Sequence, residues 1–348
     1  MLRACLLKPG AVGGGTASFY QNLRSFLASA GIPFTDRLED DWDVLFANSW
    51  GLSFRTALHA KRSHPAARLL HRVDGSALDY GREAIADLRQ ARVNLLADLT
   101  VFQSQYGKHA TTRKYRVIRQ DGPVIHNPVD VERFRPEGER VPLPGKVRVC
   151  AVTHSANPRK GAAVLYALAA AHPGVQFILV GRYEGLPALD NLHFLGYADR
   201  DALPRVLRSC DVFLMLAENE ACPNVVLEAM ASGLPVLYRD SGGTPELVGD
   251  CGRAVEPDTF ADALAWALEG REALGEAARQ RAVERFSPGV VFPRYLEALE
   301  RCPRLPLPRR LDWPGFLRVD PAVLLSVARW GVARAASRGA ARLGVGAR

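Results

Sequence analysis

The chain has 348 residues, 48% of them hydrophobic and 24% charged, enough for the cores of about two domains. The net charge of +8 is uneven, because from Arg304 onward nine arginines face only Asp312 and Asp320, so seven of the eight excess charges sit in the last segment. The remainder is nearly neutral and has no basic stripe interleaved with aromatics, which argues against nucleic acid as a partner.

Residues 1 to 140 alternate short apolar runs with helical stretches, the pattern of a parallel sheet covered by helices. Strands are expected at 4–7, 44–47, 68–70, 99–102 and 124–125. After the first comes Gly13-Gly14-Gly15-Thr16, opening a helix with Phe19, Leu23 and Leu27 at helical spacing. Glycines there let the backbone approach a phosphate or an acceptor, although a plain tight turn uses the same residues. The spacing is not that of the G-x-G-x-x-G dinucleotide fingerprint.

The strand at 68–70 delivers His71, Arg72, Val73, Asp74 and Gly75 at its carboxyl end, where open α/β sheets bind ligands. Polar residues there, His71 and Asp74 among them, are candidates to touch an acceptor or a reacting centre. Asp74-Gly75 is equally a turn signal. The stretch from His126 to Pro136 is stiffened by Pro128 and Pro136, and Val141-Pro142-Leu143-Pro144-Gly145 reads as an interdomain linker.

The alternation then restarts with strands expected at 147–152, 175–180, 192–195 and 211–216. The first runs into His154-Ser155-Ala156-Asn157-Pro158-Arg159-Lys160-Gly161 before a helix with Leu165 and Leu168. Arg159 and Lys160 at a helix start oppose the macrodipole. A bound anion would explain them; a solvated charge pair is the alternative.

Residues 218–248 read as loop, helix, strand, Gly-rich turn and helix. Pro223 suits a helix start and Gly233 a helix stop, with the next strand at 234–237. Between Ala221 and Tyr238 the only charged residue is Glu228, set among Val225, Val226, Leu227, Met230 and Ala231. A carboxylate in such surroundings is costly without hydrogen-bond partners. Side chains on a helix lean toward its N-terminus, so Glu228 points to the end where the N–H groups of Asn224 and Val225 favour an anion. Glu220, on the preceding loop, reaches over the same spot. Two acidic acceptors flanking an anion pocket suit a phosphate with hydroxyls on both sides, which describes a nucleotide sugar.

The Glu220-x7-Glu228 spacing, the following Ala-Met-Ala-Ser-Gly-Leu-Pro-Val and Gly242-Gly243-Thr244-Pro245-Glu246-Leu247-Val248 resemble the donor site of retaining GT-B glycosyltransferases of the family 4 type. The resemblance covers residues 1 to 300 and implies an α/β fold of two Rossmann-like domains facing across a cleft. An acceptor domain would span 1–140, a linker 141–146 and a donor domain 147–287. A crossover helix at 288–303 would return to the first domain, before a basic helical tail at 304–348.

By the same resemblance Glu220 would hold sugar hydroxyls, Glu228 the ribose, and the amides of Asn224 and Val225 the diphosphate. Arg159 and Lys160 would reach that diphosphate, Gly14 and Gly15 would line the cleft, and His71 would stand at the sugar. The loops Gly181-Arg182 and Gly196-Tyr197 would seat the base through backbone groups. The chain departs from the family at Ala221-Cys222-Pro223, where many members have Gly-Phe-Gly, and at Ser155, where many have an arginine.

The implied reaction transfers a sugar from a nucleoside diphosphate sugar to a hydroxyl, with retention and with no metal or other cofactor. The acceptor, a glycan, a lipid-linked molecule or a small molecule, is not specified. Two rival readings are a nucleotide-sugar epimerase on the same fold and a non-catalytic nucleotide-sugar binding protein. Six scattered cysteines without a C-x-x-C pair argue for reduced thiols in the cytoplasm and against structural zinc. No apolar run is long enough to cross a bilayer, and no secretory leader is expected before Lys8-Pro9-Gly10. In the tail, Arg334, Arg338 and Arg342 make one stripe downstream of Leu324, Leu325 and Trp330. One reading is a helix on anionic lipid at the inner face of the membrane; the others are a helix packed on the body or a disordered end.

Overall fold

The computed structural model describes residues 2–7, 15–115, 118–198, 201–306 and Ala328. Gly13, Gly14 and the basic stripe at Arg334, Arg338 and Arg342 therefore lie outside the described residues. Within them the chain forms two parallel sheets. The first contains β1 (Ala4–Cys5), β2 (Phe34–Thr35), β3 (Val44–Asn48), β4 (Arg68–Val73) and β5 (Leu99–Phe102), in the order β2-β1-β3-β4-β5. The second contains β6 (Arg148–Thr153), β7 (Gln176–Gly181), β8 (Leu192–Phe194), β9 (Val212–Met215), β10 (Val236–Tyr238) and β11 (Gly252–Ala254), in the order β11-β10-β9-β6-β7-β8.

Helices between the strands cover the faces: α1 (Gly15–Ser29), α2 (Phe54–Ser63), α3 (Ile85–Asn94), α4 (Gln105–Lys114), α5 (Ala162–Ala171) and α6 (Ala202–Arg208). After them come α7 (Asn224–Ala231), α8 (Thr244–Val248), α9 (Phe260–Glu269), α10 (Arg271–Phe286) and α11 (Pro288–Arg301). Strands covered on both faces are buried along their length, and every residue of β3, β4, β5 and β9 is buried, the polar Asn48, Arg68, His71, Arg72 and Thr100 included. Ser53 and Ser104 start α2 and α4 by accepting the amides of Thr56 and Gly107. The helix α11 crosses back, placing Phe292, Tyr295 and Leu299 in one core with Phe19, Leu23 and Phe46.

Three differences from the sequence reading have local causes. The strands β2 and β11 were not expected, because two or three residues carry no apolar run and only backbone pairing reveals them. Residues 124–125 make only an isolated bridge to Phe102. The strand β4 extends to Val73, so His71 and Arg72 lie inside it rather than past its end.

In the second sheet the chain starts at β6, moves outward through β7 and β8, then returns to β9 on the other side of β6. The gap between the carboxyl ends of β6 and β9 is thus a topological switch point, the place where such sheets receive ligands.

Candidate active site

Two loops meet at this switch point. Past β6 a 3-10 turn at Pro158–Lys160 is fixed by the Asn157 side chain, which accepts the Arg159 amide at 3.0 Å. Gly161 follows with φ of +79°, and a Cβ there would fall 2.5 Å from Leu216 Cβ, so only glycine lets this loop press against the end of β9. Lys160 is thereby brought to Glu220, with Nζ 2.7 Å from Oε2. Arg159 Nη1 lies 2.9 Å from Glu218 Oε2, and Arg239 Nη1 lies 2.7 Å from Glu218 Oε1. Burial would lower the Lys160 ammonium, but the Glu220 carboxylate and Tyr80 outweigh it and hold Lys160 charged above its usual range.

The Glu220 backbone is fixed from below by the turn after β10. Gly243 N–H donates to the Glu220 carbonyl at 2.8 Å, and Gly242, with φ of +70°, comes so close that a Cβ would lie 2.4 Å from that oxygen. These are the glycines of the Gly-Gly-Thr-Pro-Glu motif, and their role here is close backbone approach. Pro223 caps α7, and its carbonyl accepts the Val226 N–H at 3.2 Å, while the N–H groups of Asn224 and Val225 precede the helix ladder. Glu228 sits one turn in, and its Oε2 is buried with no hydrogen-bond partner among the described residues. Burial pushes the Glu228 carboxyl up to about 7. Asn224 Oδ1 accepts from Asn127 Nδ2 at 2.7 Å, which also donates to the Cys222 carbonyl at 3.0 Å.

The first domain reaches this site through Arg72, one of the polar residues expected near the reacting centre, and through Asn48 and Asn127, which the sequence reading passed over. Arg72 is buried and donates to Tyr295 Oη at 2.9 Å, Asn48 Oδ1 at 2.6 Å and Asn127 Oδ1. Asn127 thus links Arg72 to the start of α7. Glu246 crosses in the other direction, accepting the amides of Gln105 at 2.9 Å and Tyr106 at 3.1 Å at the start of α4, with His126 Nε2 at 3.2 Å. Burial would raise the Glu246 carboxyl, yet those donors hold it below its usual range. Glu218 and Arg239 were missed as well. The only signal was the Glu-Asn-Glu run after an apolar strand; Arg239, beside Asp240 at the end of the next strand, carried none.

The structure pairs Lys160 with Glu220 and Arg159 with Glu218 at the switch point, places Asn224, Val225 and Glu228 on the helix that follows the Glu220 loop, and sets Asp74 on the first domain, where Oδ1 accepts from Gln103 Nε2. Gly15 is the first residue of α1. His71 stands apart, and its expected place at the sugar is corrected. It is wholly buried inside β4, with Nε2 2.8 Å from the Ser49 carbonyl and Nδ1 3.0 Å from Asn94 Nδ2, so both ring nitrogens are occupied by the core.

Desolvation lowers His71 to about 4 from an ordinary 6.5, against small opposing effects of Ser49 and Asp74. Its neutral ring therefore supports folding fully above about pH 6.5, and that support, up to about 3 kcal/mol, drains as pH falls toward 4. Urea midpoints measured across this window should show the fall, and His71→Gln should flatten it. A pH dependence unchanged by the substitution would contradict the assignment.

Comparison with known proteins gives the family. Residues 136–281 match the family model of glycosyl transferases group 1. A GDP-mannose-dependent alpha-mannosyltransferase of Mycobacterium tuberculosis is 31% identical over 275 residues, covering 72% of this chain and 71% of that protein. Several other matches are narrower. The sulfoquinovosyl transferase SQD2 of Arabidopsis thaliana is 37% identical over 109 residues, only 21% of its length, and two further relatives are covered over 36% and 38% of theirs. Among solved structures, Anabaena Alr3699/HepE in complex with UDP superposes with a TM-score of 0.69 at 19% identity, over 86% of this chain and 100% of that one. The chain belongs to the group 1 glycosyltransferases and is a glycosyltransferase of GT-B fold.

Proposed function

We propose that the enzyme moves a sugar from a nucleoside diphosphate sugar to an acceptor hydroxyl, with retention at the anomeric carbon as in family 4 and without a metal ion. The observation that carries this reading is Glu228, whose buried carboxylate oxygen is unpartnered among the described residues beside the open end of α7. Paired ribose hydroxyls satisfy such an acceptor, and the amides of Asn224 and Val225 then face the diphosphate. Glu220 binds hydroxyls of the transferred sugar, while Arg159 and Lys160 neutralise the leaving diphosphate. Asp74 faces the acceptor side, and Gly15, at the start of α1, lines the cleft.

As the bond from the anomeric carbon to the diphosphate oxygen breaks, negative charge grows on that oxygen and the fixed cations meet it. The acceptor oxygen forms the new bond, and its proton passes to the leaving phosphate, so no protein base is required. The names of the relatives point to GDP-mannose and UDP-glucose as first donors to test. The base sits at the loops after β7 and β8, which are joined by a hydrogen bond from Gly181 N–H to the Gly196 carbonyl at 2.6 Å. No helix among the described residues is long and apolar enough to cross a membrane. The proposed setting is the cytoplasm, with a glycan or lipid-linked acceptor in polysaccharide synthesis and anionic lipid of the inner membrane face as the partner proposed for the basic tail sequence.

The test is proton NMR of the anomeric signal during turnover of GDP-mannose and UDP-glucose in EDTA, with mannosides, glucosides and lipid-linked sugars as acceptors. An α-linked product forming at an undiminished rate is expected. A β-linked first product, or a rate restored only by added metal, would overturn the reading.

A further inference from the structure

Asn219, immediately before Glu220, has φ of +58°, a region that few residues other than glycine and asparagine enter. Its backbone N–H donates to Ser241 Oγ at 3.0 Å. Its side chain is held from the first domain: Nδ2 donates to the Asp79 carbonyl at 2.9 Å, and Oδ1 accepts from Tyr106 Oη at 3.0 Å. Asp79 lies on the loop after β4 and Tyr106 in the first turn of α4. Burial, with help from Asp79, pushes the Tyr106 phenol up to about 12, which keeps it a donor.

The surrounding contacts tie the same loop to the same site. Lys114 Nζ pairs with Asp79 Oδ1, and Asn157 Nδ2 donates to the Tyr80 carbonyl at 2.7 Å. Lys160 Nζ lies 5.5 Å from the Tyr80 ring centroid. A glycine at 219 would take the left-handed conformation freely but could not be locked there, and asparagine supplies both properties.

We propose that Asn219 is a positioning residue for sugar recognition: Tyr106 and Asp79 of the first domain lock its left-handed backbone and thereby aim the Glu220 carboxylate at the transferred sugar. Glu220 is then correctly directed only while the two domains are in contact. This inference rests on the assignment of Glu220 to the sugar made above.

The test is calorimetric titration of GDP-mannose against GDP, and of UDP-glucose against UDP. The proteins are the wild type, Asn219→Gly, Tyr106→Phe, Glu220→Gln and the double variant Asn219→Gly/Glu220→Gln. Asn219→Gly should weaken the nucleotide sugar about tenfold while leaving the nucleoside diphosphate within about twofold, because only Glu220 is misdirected. Tyr106→Phe should give a smaller loss of the same selectivity, and the double variant should bind like Glu220→Gln alone.

Equal loss of sugar nucleotide and diphosphate, no loss, or additive loss in the double variant would overturn the proposal, since a general loosening of the fold produces the first and the third. If Glu220→Gln itself leaves sugar binding intact, or neither sugar nucleotide binds the wild type, the assignment of Glu220 falls and this inference with it. Intact binding in Asn219→Gly beside a loss in Glu220→Gln removes the inference alone.

Discussion

Lys160→Met is expected to lower turnover about 10²–10³-fold while raising the donor dissociation constant far less. Lys160 is held close to Glu220 and kept charged by it, at the switch point where the diphosphate is proposed to lie. An ammonium fixed before the reaction needs no reorganisation when charge develops on the leaving oxygen, so its removal acts chiefly on the transition state. Methionine keeps most of the stem and removes the charge, which limits the loss of packing. Single-turnover rates at saturating donor check this. A variant that loses only donor affinity and keeps its rate would place Lys160 outside the transition-state contacts.

Glu228→Gln is expected to have two effects of opposite sign. Burial raises the native carboxyl to about 7 from an ordinary 4.5, so the folded state retains a proton that the unfolded chain gives up between those values. The contribution of Glu228 to stability is therefore intact below about pH 4.5 and is lost as pH rises to about 7. Glutamine carries no such ionisation and should raise stability near pH 8 by up to about 3 kcal/mol, with a flatter profile between. The same substitution should weaken donor binding at least about tenfold, because the proposed role of Glu228, a charged acceptor of two ribose hydroxyls, passes to a neutral amide. Donor affinity of the wild type should likewise fall as pH drops below about 7. Urea midpoints from pH 4.5 to 8 and donor titrations over the same range check both halves. A variant that is less stable and binds donor normally would make Glu228 a packing residue.

Much of the second domain was legible because its signals are local. The apolar runs of β6, β7 and β9, the lone acid in α7 and the Gly-Gly turn each lie within a few consecutive residues, and their spacing reports their geometry. The pairing of Lys160 with Glu220 was legible in part. Cations facing a helix start called for an anion, but sequence could not show that carboxylates from the next loop supply one.

The first domain was less legible, since its contributions depend on contacts between distant segments. Asn127 lies in a stretch read only as a stiff exit, and its amide joins Arg72 to Asn224 through the fold. The His71 assignment failed for a related reason. Sequence placed it at a strand end, and one more turn of the pleat put its ring into the core, with Asn94 and Ser49 taking both nitrogens. Asn219 carried no sequence signal for a left-handed backbone beyond being asparagine.

The most direct test of the central claim is calorimetric titration of wild type and Glu228→Gln with a panel of nucleoside diphosphate sugars that includes GDP-mannose and UDP-glucose. The account predicts saturable binding of at least one donor by the wild type and a loss of at least about tenfold in the variant, while the folded variant melts no lower than the wild type near pH 8. Binding of no donor, or of one donor equally well by both proteins, would contradict it.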